Sequence, residues 1–352
     1  MLSNRMPVVA IDIGTNFIKL VHLQAKRRGH ELLSYGTMPL PPGVIEEGAI
    51  VDPDVVIQAV KDLMKIEKIG IKNVVTAVSG TSVIIKKIKV PPMSENELID
   101  AIQFEAGQYI PFDIEDVNLD FVVMETPNDQ READQMDVLL VAVTKEKMNE
   151  LTTILSRAGL KVAVVDVDVF AIENAFGLNY TVSPDDTIAL MDIGAGVTNI
   201  NILEYGISAF TRDIYFGGMK YNEAIMQQLD VDYETAEKLK LGNETNGHSS
   251  AEVYDIINSV TNELSMEINR ALEVFRGSSE APITKIMLGG GCARMMGLDQ
   301  ALATNLETQV EIFNPFQTIR CNPKVFDPEY IEYMAPSAAV GVGLALRRFG
   351  DR

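Results

Sequence analysis

The chain has 352 residues, 30 Lys and Arg against 50 Asp and Glu, and a formal net charge of −20. A field of that sign repels duplex nucleic acid, and two cysteines, Cys292 and Cys321, are too few for a disulfide framework or a zinc cluster. With 47% hydrophobic residues there is apolar surface for two or three compact units, and no apolar run reaches the ~18 residues a membrane helix needs.

Strands are expected at Val8–Ile13, Phe17–Gln24 and Glu31–Met38. Asp52-Pro53 offers an N-cap and a first-turn proline to a helix whose apolar positions, Val55 to Met64, recur at helical spacing. Strands Val74–Val78 and Val83–Val90 follow. Ser94 and Glu97 form a capping-box pattern ahead of Leu98, Ile99, Ile102 and Phe104, and Pro111 marks the stop. Strands Leu119–Met124 and Val138–Val143 flank a polar loop, Glu125–Asp137. Met148, Leu151, Ile154 and Leu155 share one face of a helix ended by Gly159. The second half brings strands Ile188–Asp192, Asn199–Glu204 and Ser208–Ile214 and a polar loop, Leu241–Ser250. The longest helix, opened by Ser249 and Glu252 and ended by Gly277, precedes a strand at Ile283–Leu288.

The informative feature is an internal repeat. Val8–Leu23 aligns without gaps on Ile188–Leu203, with identities at Asp12/Asp192, Ile13/Ile193, Gly14/Gly194 and Leu23/Leu203. Each copy is a strand, a glycine turn and a returning strand. Duplicated sheet units imply two similar lobes with a cleft between them. One Asp-Ile-Gly alone is better explained as a strand-ending turn; two in register point to function. Gly14, Gly194 and Gly196 let backbone N–H groups approach an anion, Thr15 and Thr198 could add hydroxyl donors, and Lys19 is placed to reach a phosphate. If Asp12 and Asp192 face each other at ~6 Å, their repulsion is about 3 kcal/mol at an effective dielectric near 20, which calls for a cation between them. Mg2+ suits that position, because it keeps its waters and takes carboxylates through them.

A third glycine loop, Gly289-Gly290-Gly291, follows the strand Ile283–Leu288 and allows close approach of a base or phosphate; a tight strand-to-helix turn explains it equally well. The sequence contains neither G-x-x-x-x-G-K-[ST] nor G-x-G-x-x-G, which excludes a P-loop and argues against a dinucleotide fold. His22, His30 and His248 have no ligand spacing, Cys292 reads as a small loop filler, and the basic run Lys86–Lys89 reads as protection of a sheet edge.

Asp12-Ile-Gly-Thr-Asn-Phe-Ile-Lys19, Asp192-Ile-Gly-Ala-Gly-Val-Thr198, Gly289-Gly-Gly291 and Ala335-Pro-Ser-Ala-Ala-Val-Gly341 occur in the order found in the actin-like ATPase superfamily. They resemble its two phosphate hairpins, adenosine loop and second interdomain connector. The stretch from Ala158 to Gly177 resembles the first connector. That resemblance implies a catalytic, water-orienting acid at Asp168, with Asp166 as fallback. It also implies that Glu237 and Lys240 bracket a nucleoside, although a Glu–Lys pair three residues apart is often a surface ion pair. Nucleotide contacts are implied for Gly14, Thr15, Asn16, Lys19, Gly194, Gly196, Thr198 and the three glycines, with Asp12 and Asp192 on the metal.

Val83–Val90, Pro91-Pro-Met-Ser-Glu-Asn-Glu-Leu98, Phe104-Glu-Ala106, Gln108-Tyr-Ile-Pro-Phe112 and Val117–Phe121 are similar to the inserted subdomain of the PilM family of type IV pilus assembly proteins. The resemblance implies an α/β actin-like fold with two duplicated ribonuclease-H-like lobes around a nucleotide cleft. Subdomain 1A would cover 1–84, 164–186 and 325–352, an FtsA-like inserted subdomain 1C 85–163, subdomain 2A 187–210 and 281–324, and subdomain 2B 211–280. It further implies ATP and Mg2+ as ligands and at most slow ATPase activity. The implied partner is the N-terminal cytoplasmic peptide of PilN, with contact to the inner membrane only through that partner; other platform proteins, motor ATPases and self-association are open. A small-molecule phosphotransferase is the rival, but beyond Asp166 and Asp168 no acceptor base is evident. An FtsA-like division protein is the other; the sequence stops at Phe349-Gly-Asp-Arg352 without the amphipathic helix expected of one.

Overall fold

The structure, a computed structural model, describes residues 6–124, 135–183, 186–243, 247, 250–279 and 281–351. Strands β1 (Val9–Ile13), β2 (Phe17–Lys26) and β3 (Gly29–Pro39) form a meander. The short pair β4 (Ile45–Glu46) and β5 (Ala49–Ile50) precedes α1 (Pro53–Ile66) and β6 (Asn73–Val78). An excursion of β7 (Val83–Val90), α2 (Glu95–Ala106), β8 (Val117–Val123) and β9 (Met136–Thr144) leads into α3 (Lys145–Arg157), β10 (Lys161–Val167) and α4 (Asp168–Asn179). The second half opens with β11 (Thr187–Ile193), β12 (Thr198–Glu204), β13 (Ile207–Ile214), α5 (Gly218–Leu229), α6 (Tyr233–Lys240) and α7 (Ser250–Arg276). It closes with β14 (Lys285–Gly289), α8 (Leu298–Asn305), β15 (Val310–Ile312), β16 (Ile319–Arg320), α9 (Pro328–Met334) and α10 (Ala339–Leu346).

The helix starts follow their caps. The Asp52 carboxylate accepts from the N–H groups of Asp54 and Val55 at 3.2 Å each. Ser94 and Glu97 close a reciprocal capping box at α2, satisfying donors that a helix start leaves open. Ser249, expected to cap α7, lies outside the described residues, as do His248 and most of the two expected polar loops; Met136 and Asp137 already belong to β9.

The internal repeat becomes two sheets of matching order. The first runs β10-β6-β1-β2-β3-β16 and the second β13-β12-β11-β14-β15, so β3-β2-β1-β6-β10 corresponds strand for strand to the whole second sheet. In both, the hairpin partner is antiparallel and the other neighbour parallel. The register sets Asp12 opposite Lys19 and Asp192 opposite Asn199.

One apolar cluster takes Ala10, Val21 and Val75 from the first sheet and Leu190, Leu203 and Met287 from the second, with Ile172 and Phe176 of α4 and Val342 and Leu344 of α10. The two connectors therefore lie in the core that joins the lobes. The outer faces are covered separately, by α1 and α3 on the first lobe and by α7 and α8 on the second. Each fully buried Leu or Val contributes roughly 1.5–3 kcal/mol.

The excursion is a separate three-stranded sheet, β7-β9-β8, closed by α2 around Ile88, Leu98, Ile102 and Leu140. Lys87 on its edge strand pairs with Asp137 at 3.3 Å. Helix α3 packs instead with α1 in the first-lobe core, through Leu151, Ile154 and Leu155, and β10 pairs with β6. We therefore take the inserted unit as residues 83–144, shorter than the expected 85–163. Likewise β13 carries the second sheet past residue 210, and β16 returns to the first sheet before residue 325. Residues 158–177 are regular structure because they complete one sheet and fill the core between both. Among the described residues no helix is long and apolar enough to cross a membrane.

Close approach of α10 to α4 rests on one glycine. A Cβ on Gly343 would stand 1.7 Å from the carbonyl oxygen of Ala171, whereas one on Gly341 would meet only the Val21 side chain, at 2.8 Å. Gly343→Ala is expected to destabilise the protein by about 3 kcal/mol or more in urea unfolding, against about 1 kcal/mol for Gly341→Ala. Equal midpoints for the two variants would contradict this packing.

Candidate functional site

The C-terminal ends of β1 and β11 point into one cavity of about 360 Å³ between the lobes, a volume suited to a small ligand. Its first wall is the turn from Gly14 to Phe17 with Lys19; its second is the turn from Gly194 to Val197 with Asn199. The Gly14 N–H closes its own turn on Phe17 at 3.1 Å, and that of Gly194 does the same on Val197 at 2.9 Å. Among the described residues no hydrogen bond uses the N–H groups of Thr15, Asn16, Ala195 or Gly196. The tips nearly touch: a Cβ on Gly196 would lie 3.0 Å from Thr15 Oγ1. Asn16 Nδ2 donates to the Tyr233 hydroxyl at 2.6 Å, which ties the first tip to α6.

At the floor, Lys19 Nζ donates to Asp12 Oδ2 at 2.9 Å, with 19% and 9% of the two side chains exposed. Burial works against the ammonium, but the carboxylates of Asp12 and Asp192 outweigh it and hold the Lys19 pKa above its ordinary value. The charge expected from a divalent cation is thus partly supplied by the chain, and Lys19 is a counter-ion for Asp12 before it is a phosphate ligand. Burial, opposed by Lys19 and reinforced by Asp12, pushes Asp192 up to about 6. Asp168, at the first turn of α4, is raised by burial and by the charges of Asp12, Asp192 and Asp213, against a hydrogen bond from Ser79.

Glu237 and Lys240 are not a surface pair. Lys240 is 4% exposed, bonds Glu237 at 2.5 Å and donates to the Gly218 carbonyl at 3.3 Å, while Asn222 Nδ2 holds the same Glu237 oxygen at 2.7 Å. Cys292 lies against them; burial pushes its thiol up to about 11, so it stays protonated and packs.

Of the expected site residues, Asp12, Gly14, Thr15, Asn16, Lys19, Asp168, Asp192, Gly194, Gly196, Glu237, Lys240 and Gly291 line the cavity. Four others lie elsewhere. Thr198 is fully buried and its hydroxyl donates to the Phe216 carbonyl at 2.7 Å, because its strand position turns it into the core. Gly289 and Gly290 serve packing: a Cβ on Gly290 would overlap the Ile193 backbone at 2.3 Å, and the Gly290 N–H bonds Pro336 at 2.9 Å. Asp166 is buried away from the cavity and ion-paired to Arg347 at 3.4 Å.

Several lining or supporting residues gave no signal in the sequence. Arg294 lines the cavity, stacked over Tyr333 at 5.0 Å with its Nε donating to the Gly291 carbonyl at 3.2 Å. Gly217-Gly218 could have been noticed as a pair. The Gly218 and Met219 N–H groups bond the carbonyls of Gly194 and Ala195 at 2.9 and 2.8 Å, and a Cβ on Gly217 would sit 2.5 Å from Gly194 O.

The residues present fit a nucleotide: spare turn N–H donors, a buried Glu–Lys pair and carboxylates at the cavity floor. Among the described residues no group of three or more His, Cys, Asp or Glu could hold a metal by itself. A Mg2+ here would rest on phosphate oxygens and waters, with Asp12 and Asp192 meeting those waters.

Comparison with known proteins agrees with this architecture. The profile of the type IV pilus assembly protein PilM family matches residues 10–349. A solved PilM-PilN type IV pilus biogenesis complex is 31% identical, with a TM-score of 0.86 over 97% of this chain and 98% of that one. MreB5 of Spiroplasma citri bound to AMPPNP has a TM-score of 0.54 at 12% identity, covering 97% of this chain and 95% of that one. Cell division protein FtsA of Staphylococcus epidermidis is 23% identical over 363 residues, 88% of this chain and 74% of its own.

The raised Asp192 pKa has a sign. Between the ordinary carboxyl value and about 6 the folded chain binds a proton that the unfolded chain does not, so ligand-free stability rises as pH falls from 7 toward 5. At most about 1.4 kcal/mol per pH unit comes from one such group. Asp192→Asn should flatten that slope in thermal melts across this range.

Proposed function

The chain belongs to the PilM family of type IV pilus assembly proteins and has their actin-like fold, and from this we propose that it binds Mg-ATP between its lobes and docks the N-terminal cytoplasmic peptide of a PilN-like membrane protein. The observation that carries the nucleotide half is the convergence of both Asp-Ile-Gly turns and Lys19 on one cavity. The partner half is supported by the similarity to a chain solved in complex with PilN. On this reading the protein is peripheral to the inner membrane, held there through its partner.

Each residue has a chemical task. The free N–H groups of Thr15, Asn16, Ala195 and Gly196 bind phosphate oxygens from facing walls. Glu237 and Lys240, held by Asn222 and Gly218, bracket the nucleoside, with Arg294 another lining residue of the same cavity. Bound Mg2+ would neutralise phosphate charge. Asp168 lines the cavity with its carboxyl raised in pKa by burial, and on this reading it orients a water and accepts its proton. The function of the cleft is a switch: closing on ligand fixes the angle between lobes.

Isothermal titration tests the site. Asp192→Ala is expected to lose Mg-dependent ATP affinity by about a hundredfold, ~2.7 kcal/mol, while remaining folded. Asp168→Ala should spare binding and lower any hydrolysis. ATP affinity unchanged in Asp192→Ala would remove the metal-water assignment.

A PilN-like peptide titrated with and without Mg-ATP should show affinities differing by about tenfold, which needs only ~1.4 kcal/mol of coupling. Equal affinities would leave a static adaptor.

A further inference from the structure

The turn between β6 and β7 makes a different contact at each successive residue. Ser79 lines the cavity, as does Asp168. The Gly80 N–H donates to Asp213 Oδ2 at 2.9 Å, and the Thr81 N–H donates to the Tyr215 hydroxyl at 2.9 Å. Both acceptors lie at the end of β13 in the second sheet, and Asn199 Nδ2, itself a wall of the cavity, holds the other Asp213 oxygen at 2.7 Å. The Ser82 carbonyl accepts from Thr144 at 3.0 Å, and Val83 pairs with Val143. Entry and exit of the inserted sheet are thus fastened at this one point.

The geometry of the turn leaves little slack. Gly80 has a φ of +86°, and a Cβ there would meet the Tyr215 hydroxyl at 3.3 Å. A hydrogen bond keeps its strength only over a narrow range of length and angle, so a shift of the second lobe either breaks both contacts or carries the turn with it. Only four residues, Ser79 to Ser82, separate the cavity-lining end of β6 from the first residue of β7.

We propose that the Ser79–Ser82 turn is the coupler that passes movement of the second lobe, on nucleotide binding, to the inserted three-stranded sheet. Asp213 and Tyr215 are its positioning residues: they touch neither the cavity nor the inserted sheet's core, and they act by gripping the turn. The inference rests on the nucleotide reading above and adds to it the route by which cleft and insertion communicate.

Amide hydrogen exchange with saturating Mg-ATP, on wild type and on the Asp213→Asn/Tyr215→Phe double variant, tests it. In wild type, exchange should slow at both turns, 14–17 and 194–197, and by about tenfold across β7 and β9. In the double variant the turns should still slow, while β7 and β9 change by less than about twofold. Tyr215→Phe alone removes one hydroxyl from a residue that is 39% exposed, and provides the same comparison should the double variant not fold. A double variant whose β7 and β9 respond as wild type does would overturn the coupler, as would a wild type whose turns slow while β7 and β9 do not. A wild type in which neither turn responds defeats the nucleotide reading itself, and the coupler with it.

Discussion

A single buried ammonium sets the terms for the rest of the cleft. Lys19 stands opposite Asp12 across the first hairpin and within the field of Asp192 from the other lobe. Without it, two carboxylates drawn toward each other by the duplicated fold would sit uncompensated in a region of poor solvation, and breaking such a pair by removing one partner typically costs 3–5 kcal/mol. With it, both lobes can bring an acidic strand end to the same point. Asp192 and Asp168 have raised pKa values, chiefly because burial disfavours their charged forms and secondarily because of neighbouring carboxylates.

Duplication explains why the site lies between lobes rather than on one. Each sheet ends its central strand in the same turn, and the connectors α4 and α10 share a core with both sheets, so the two strand ends can only converge. The inserted sheet has its own core, and the ends of β7 and β9 (Val83, Ile85, Val141 and Val143) also pack into the first-lobe core. Its position is decided at the strand ends where it leaves and rejoins the first lobe.

Much of this was legible because it is local. The hairpins, caps and alternating strands depend on neighbours within a few residues, and the 83–90 strand and the two helix caps stand where their residue patterns place them. The site residues on the two tight turns were legible for the same reason: a turn that ends a strand exposes its own backbone. Thr198, Gly289, Gly290 and Asp166 do not line the cavity, because their placement depends on which face of a strand looks at which neighbour. Thr198 looks into the core, and Gly290 is small because the Ile193 backbone crosses it. Asp166 was a reasonable alternative to Asp168 until pairing of β10 with β6 set it beside Arg347.

From the order of residues alone came the duplication, the two acidic turns, the caps and the lack of an apolar run of membrane-helix length, since each is written in short-range pattern or in totals. Contacts between distant segments decided the remainder. That Lys19 answers Asp12, that the buried Lys240 pairs with the half-buried Glu237 at a cavity, that Arg294 lines it, and that Asp213 and Tyr215 hold a turn more than a hundred residues away all follow from packing. The physical reason is that charge pairing and hydrogen bonding act over a few ångströms of space, whatever the separation along the chain.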